Sequence, residues 1–297
     1  MAGQAVVCYN VENLFDTEDD PAVNDEDFLP NGALAWTADR YDHKLQHLSE
    51  AISWSTDGPP ALLGLVEVEN RKVVADLAGT GRLKDAGYMV VHHDSPDERG
   101  IDVALLVHPD FATVIHDEAL TVEIPNDRTR DVLYVEVAMA EDERLHVFVN
   151  HWPSRRDGKV SVPKRMAAAA VVRAKVDRIR ATDPEARDFN DTPMDASIRE
   201  GLGAACDRAT KARLFDLMCI DQPHGHGSYN YQGKWDYLDQ MIVSAAFMPM
   251  VASAKAYWDD RLLFKHPRYG RSPNKTYAGR DFKGGYSDHL PIVLRLK

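Results

Sequence analysis

Side chains that can hold a hard cation or move a proton recur where short apolar runs end. The first run ends in Asn10-Val11-Glu12-Asn13, the second in Glu67-Val68-Glu69-Asn70, and a later one in Asn150-His151-Trp152. Asp236-Tyr237-Leu238-Asp239 comes just before another run, Ser287-Asp288-His289 just before the last, and Asp188-Phe189-Asn190-Asp191 adds a further acidic group. Any one of these is weak, because a Glu closing a strand is usually solvated, and Asp and Asn favour turns and helix N-caps. Together they offer carboxylate and amide oxygens with two histidines, a set suited to Mg2+ or Mn2+ and to proton transfer. They fall at strand ends, where α/β proteins commonly place ligands.

Other chemistries find less support. Ser287-Asp288-His289 has the residue types of a serine hydrolase, yet neighbours in an extended segment point to opposite faces. The chain also has no Gly-x-Ser-x-Gly elbow. His224-Gly225-His226 lies among Pro and Gly and reads as a loop, and the pair His92-His93 likewise reads as no metal site. Neither a Walker A sequence nor Gly-x-Gly-x-x-Gly is present, so a nucleotide-cradling loop is not expected. Cys8, Cys206 and Cys219 show no Cys-x-x-Cys and no paired spacing. A cysteine zinc site and a disulfide framework are therefore not expected, which fits a reducing compartment.

The elements that must position these groups follow from hydrophobic periodicity. Apolar runs with β-branched residues at 5–11, 61–68, 102–107, 132–139, 145–152, 240–244 and 291–296 read as strands. Residues 132–137 and 145–149 alternate with period two, predicting strands with one wet face. Residues 61–68 are almost continuously apolar and suit a strand covered on both faces. Leu45, Leu48 and Ile52 line one side of a helix over 41–54. Met166, Ala169, Val172, Val176 and Ile179 repeat along a second over 163–181, with Pro163 near its first turn. Gly and Pro clusters at 57–60, 223–227 and 267–285 read as surface loops. Many strands, few helices and no repeat or linker across 297 residues predict one domain, 1–297, of packed sheets covered by helices.

Composition sets the outer bounds. With 44% hydrophobic and 28% charged residues the chain can bury a sizeable core. No run approaches the ~20 apolar residues that cross a bilayer, so no membrane span is expected. The start lacks a basic stretch followed by an apolar one, so no secretory signal is read and a cytoplasmic location is expected, although a trimmed precursor would begin the same way. Against 47 Asp and Glu stand 35 Lys and Arg, a formal charge of −12. Proteins that grip long duplex DNA non-specifically usually present a basic face, which disfavours a processive nuclease. Acids gathered in one cleft would instead hold a cation.

Seven segments, taken in order, go further: Tyr9-Asn-Val-Glu-Asn-Leu-Phe-Asp16, Gly64-Leu-Val-Glu67-Val68, Arg99-Gly-Ile-Asp-Val-Ala104, Val149-Asn-His151-Trp-Pro-Ser-Arg155, Asp188-Phe-Asn190, Asp239-Gln-Met-Ile-Val-Ser244 and Tyr286-Ser-Asp288-His289-Leu-Pro291. Their order over nearly the whole chain resembles the endonuclease/exonuclease/phosphatase superfamily, the deoxyribonuclease I-like fold. The resemblance implies an α/β (α+β) four-layer sandwich of two packed β-sheets flanked by helices, and metal-dependent phosphoester cleavage. By position, Asn10, Glu67 and Asp288 match metal-site residues, and Glu12 falls where some members carry a second acid. His151 matches a histidine near the scissile phosphate. Asp188 and Asn190 match the Asp-x-Asn pair that positions water and phosphate. His289 matches the catalytic histidine and Asp239 the carboxylate that orients it.

Physical chemistry is consistent with those roles. A phosphodiester repels an attacking water through its own charge, and a cation at Glu67 would withdraw that charge as a Lewis acid. A histidine beside Asp239 has its pKa raised and can act as a cation at neutral pH. Arg130 and Arg155 are candidate phosphate clamps, with exposed surface arginines the plainer alternative. One departure stands out. The family's Asp-x-Asn pair follows a buried apolar strand, whereas here Arg180-Ala-Thr-Asp-Pro-Glu-Ala-Arg187 leads directly into Asp188. A strand of ~5–6 residues is missing, and with it the support for Asp188 and Asn190. The leading expectation is a phosphodiesterase or nuclease using Mg2+ or Mn2+ and water in line, with a phosphoester partner, nucleic acid among the candidates. The alternatives are a weak or inactive relative that binds phosphate ligands, motivated by the missing strand, and a small-metabolite phosphatase, motivated by the net acidity.

Overall fold

A computed structural model of the chain describes residues 3–140, 143–154, 158–182, 187–190, 196–220 and 226–297, the side chains of 187–190 and 220 excepted. In chain order the strands are β1 Ala5–Leu14, β2 Leu62–Val68, β3 Met89–His92, β4 Asp102–Val107, β5 Thr113–Leu120, β6 Val132–Ala138 and β7 Arg144–Val149. They continue with β8 Arg187–Asn190, β9 Ala204–Ala205, β10 Leu214–Asp216, β11 Tyr229–Tyr231, β12 Lys234–Asp236, β13 Ile242–Ser244 and β14 Val251–Ala256. Hairpins β15 Leu263–His266 with β16 Gly270–Pro273, and β17 Tyr277–Ala278 with β18 Asp281–Phe282, precede the last strand, β19 Ile292–Leu296. The helices are α1 Ala38–Ser55, α2 Arg71–Ala78 and α3 Val162–Thr182.

Among the described residues, six strands form one sheet in the order β14-β19-β1-β2-β4-β3 and seven form another, β5-β6-β7-β8-β13-β10-β9. Strands β2 and β4 lie against β6 and β7, and Leu133, Val135, Val137, Leu145, Val147 and Val149 join the core shared with β1, β2 and β4. Alternate residues Val132, Tyr134 and Phe148 face the other way and are buried under α3 by Ala169, Val172 and Val176. The wet face expected of β6 and β7 is therefore dry where α3 covers it and wet at Glu136 and Arg144. Even His146 is buried, and its Nδ1 meets the Tyr134 hydroxyl at 2.8 Å. On the far side α1 covers the first sheet with Tyr41, Leu45, Leu48 and Ile52. The result is the four layers that the resemblance implies. A fully buried Leu such as Leu48 contributes ~1.5–3 kcal/mol.

Sequence patterns at 267–285 concealed two hairpins, and β5, β14 and α2 lay outside the runs read as elements. Helix α2 has its own start signal: Asn70 caps it by accepting from the Val73 N–H at 3.0 Å. Cys206 and Cys219 are joined in a disulfide, which corrects the expectation drawn from their spacing. Parallel pairing of β9 with β10 sets Ala204 beside Leu214 and brings together two cysteines 13 residues apart. The cysteines therefore give no ground for a reducing compartment. No helix among the described residues is long and apolar enough to cross a membrane.

The missing strand is replaced by the motif itself. β8, Arg187–Asn190, runs parallel to β7 and antiparallel to β13, filling the slot between them. Without it both neighbours would carry unpaired backbone groups inside the sandwich, a cost that buried N–H and C=O groups avoid.

Candidate active site

Strands β1 and β2 lie side by side in parallel, and both are interrupted at the polar residues. The β1–β2 register shifts between Asn10 and Leu14, and the β2–β4 register between Val66 and Val68. Glu12, Asn13 and Glu67 all have positive φ, of 54°, 56° and 68°. Such backbone costs ~1–3 kcal/mol per residue outside glycine and concentrates at functional sites. Here the bulges turn side chains out of the pleat toward one another. Asn10 Oδ1 accepts from the Glu12 N–H at 2.9 Å, which aims Nδ2 at Glu67 Oε1, 3.1 Å away. Glu67 Oε2 accepts from the Asn13 N–H at 3.1 Å. Each bulge thus braces the other.

The C-terminal motif closes over this pair. Ser287 is buried and its hydroxyl donates to the Asn10 carbonyl at 2.7 Å, so it is a strap and not a nucleophile. His289 Nδ1 lies 2.6 Å from Asp239 Oδ2, and Asp239 also accepts from the Ser228 hydroxyl at 2.5 Å. The 228–229 segment is zipped to 289–290 by Leu290 N–H donating to Ser228 O at 2.8 Å and a bridge between Tyr229 and His289. Burial alone would lower the His289 pKa, but the charge and hydrogen bond of Asp239, with Asp288 and Glu67, outweigh it and raise it to about 10. His289 is an imidazolium at neutral pH.

His151 has the opposite state. Its Nε2 is 3.5 Å from Glu67 Oε1. Burial, then the charges of Arg130, Arg99 and His289, hold its pKa well below the usual histidine value. It is a neutral base whose Nδ1 is buried without a hydrogen-bond partner. Burial, then the charge of Asp288, raises the Glu67 carboxyl. Glu12 is raised by the same two causes, while Lys44 and the Thr276 N–H, 2.6 Å from Glu12 Oε2, oppose the rise.

Asn10, Glu12, Glu67, His151, Asp239, Asp288 and His289 thus share one cluster, which β1, β2, β7 and the segments before β13 and β19 supply. Asp188 stands apart in the backbone, whereas Asn190 pairs with Ile242, three residues past Asp239. Asp188 is level with His146 in the β7–β8 ladder, five residues before His151, or ~16 Å along a strand at ~3.3 Å per residue. Arg130 is no open clamp. It is buried, pairs with Asp97 Oδ2 at 2.6 Å, and donates to the carbonyls of His151 at 3.0 Å and Trp152 at 3.1 Å. Its guanidinium holds the His151 loop in place. Arg155, Asp191 and His224 lie outside the described residues.

Two cations were given no role by the sequence reading. Lys44 is fully buried, 4.0 Å from Glu12 Oε2, and donates to Thr276 Oγ1 and the Tyr286 carbonyl. It occupies the i+3 position of the buried stripe Tyr41, Lys44, Leu45, Leu48. A lysine in that stripe was the available signal. Arg99 is half exposed, and its charge acts on both Glu67 and His151. It sits beside Gly100, whose φ of +63° and close approach to Val23 exclude a side chain.

The Endonuclease/Exonuclease/phosphatase family matches residues 5–297, and the chain belongs to that family, whose members are phosphoester hydrolases. No curated protein sequence matches it. Among solved structures, a Bacteroides thetaiotaomicron mannosyl-6-phosphatase superposes with a TM-score of 0.60 at 13% identity, over 99% of each chain. Caenorhabditis elegans TDP2 gives 0.58 at 15% identity, over 99% of this chain and 75% of that one. D. rerio TDP2 in complex with a single-strand DNA product gives 0.57 at 13%, over 99% and 98%. At these identities the likeness establishes the fold, which is deoxyribonuclease I-like.

Proposed function

We propose that the chain is a divalent-metal-dependent phosphodiesterase that cleaves by in-line attack of water. The observation that carries this reading is a fixed imidazolium, His289 on Asp239, beside the half-buried carboxylates Glu12, Glu67 and Asp288. Burial, then the charge of Asp288, raises the pKa of both Glu12 and Glu67, and the one ion pair that Lys44 makes among the described residues is with Glu12, at 4.0 Å. Hard oxygen donors left in that state fit Mg2+ or Mn2+, with Glu67, Asp288 and Asn10 as the residues that would hold the ion. When bound, the ion would act as a Lewis acid on a phosphoryl oxygen.

The protein's own groups divide the remaining work. His289 Nε2 donates to a phosphoryl oxygen, and Asp239 keeps the ring charged and oriented. Neutral His151, with Nε2 3.5 Å from Glu67 Oε1, can accept the proton that the attacking water loses, and the His289 imidazolium can pass one to the leaving oxygen. Arg99 provides the exposed guanidinium for a second phosphoryl oxygen, the role the sequence had suggested for Arg130. Nucleic acid enters as a candidate substrate because a relative of the same fold is described with a DNA product.

A second reading has its own observation. With Asp188 in the body of the sheet, the residue expected to align the water is displaced, and ~1 Å of misplacement can already cost 10²-fold. That favours a weak enzyme or a phosphate-binding relative. Rates on bis-p-nitrophenyl phosphate, p-nitrophenyl phosphate, single-stranded DNA and RNA separate these readings. Diester turnover exceeding monoester turnover supports the phosphodiesterase. Phosphate binding by calorimetry with no turnover supports the inactive relative, and preferred monoester turnover points to a metabolite phosphatase.

A further inference from the structure

The end of β3 and the start of β4 carry a second group of ligating side chains. His92, Asp94 and Asp102 each present a ligand atom, all within 4.8 Å of one another. None of the three belongs to the cluster around Glu67. The His92 side chain is only 2% exposed, and its Nε2 is buried with no hydrogen-bond partner, although Asp102 Oδ2 lies 3.3 Å away. The other oxygen of Asp102 is already held by the Ser95 N–H at 3.0 Å and by the Ser95 hydroxyl. A buried polar atom left without a partner is costly, so the unmade contact calls for a physical cause.

Two ligands of one tetrahedral zinc, each ~2.0–2.2 Å from it, stand about 3.4 Å apart. The nitrogen–oxygen spacing of 3.3 Å matches that value without a hydrogen bond between the two atoms. Asp131 adds a neighbouring carboxylate whose Oδ1 is also buried without a partner. Burial, and then the charge of Asp102, raises its pKa. His93 is not part of the group, because its Nε2 is spent on Asp117 at 2.6 Å.

We propose that His92, Asp94 and Asp102 form a second divalent-cation site that takes a borderline transition ion, zinc or manganese, and shares no ligand with the candidate active site. Imidazole with carboxylate selects such ions over Mg2+ or Ca2+, which favour all-oxygen cages. Asp94 is 88% exposed on its side chain, so one face of the site opens to water. The ion would close the base of the segment between β3 and β4. That segment carries Asp97, the partner of Arg130, and Arg99.

The test is Zn2+ and Mn2+ binding to the full, chelator-stripped chain, followed by calorimetry and by the visible spectrum of bound Co2+. Glu67→Gln should keep one zinc equivalent, whereas Asp94→Asn should bind it roughly tenfold more weakly or worse and His92→Phe should lose it. Asp94 is exposed, so its variant tests the site even if His92→Phe fails to fold by circular dichroism. A Glu67→Gln protein that binds no zinc, or an Asp94→Asn protein with unchanged affinity and Co2+ spectrum, overturns the proposal.

Discussion

The two sheets hold their share of the site in different ways. In the sheet of β1 and β2, the functional side chains leave from bulges whose partners are one another: Asn10 to Glu67, Asn13 to Glu67, Ser287 to Asn10. In the sheet of β7, β8 and β13, His151 is held from outside the strands, by Arg130 and Asp97. There the pair Asp188 and Asn190 has been drawn into the ladder to fill a gap. Local strain thus buys a preformed cluster on one side, while sheet continuity takes priority over site placement on the other. The difference separates what is fixed by bonded geometry from what depends on a remote brace.

Substitutions can sharpen or break that contrast. The largest effect is expected from Glu67→Ala, because removing the central carboxylate of the bulged side forfeits several kcal/mol of charge stabilisation, roughly 10³–10⁴-fold in rate. Steady-state diester hydrolysis measures it, and a loss below tenfold would place the chemistry elsewhere. His289→Ala should cost ~10²–10³-fold, the range for deleting one preorganised donor. The imidazole signals of the parent protein are a linked check. With a pKa near 10, His289 should remain protonated from pH 6 to 9 while His151 remains neutral, and coincident titration of the two would refute their opposite assignments.

Arg130→Lys probes the remote brace. The shorter, non-planar ammonium cannot reach both carbonyls and Asp97, so kcat should fall ~10-fold with little change in metal affinity. An equal fall in metal affinity would mean that the two sides are not separable. The smallest effect is expected at Asp188. On the register observed, Asp188→Ala changes the rate no more than a few-fold. A loss beyond 10²-fold would require Asp188 to reach His151, and β8 to slide by several residues along β7.

The sequence made the bulged side legible because each functional residue there adjoins an apolar run: Asn10 within β1, Glu67 within β2, His289 just before β19. The covering helices were legible from period alone, and Lys44 could have been found as a charge in the apolar stripe of α1. Other features depend on tertiary partners and leave little local trace. Positive φ at Glu12 and Glu67 is imposed on residues that do not favour it. Arg130 meets Asp97 at a separation of 33 positions, so its apparent freedom as a clamp ended only with folding. Burial of Val132, Tyr134 and Phe148 on the outer face of β6 and β7 required α3 to be docked, and the disulfide required β9 to pair with β10. β8 could not be read because its residues have no strand pattern; the need for a strand comes from its neighbours.

Metal dependence of diester cleavage, compared between the parent chain and Glu67→Gln, bears most directly on the central claim. Stripped of metal by EDTA, the parent should be inactive and regain turnover with Mg2+ or Mn2+, while Glu67→Gln should need far higher metal or remain inactive. Turnover that persists in EDTA, or that is equal in the two proteins at every metal concentration, would contradict it.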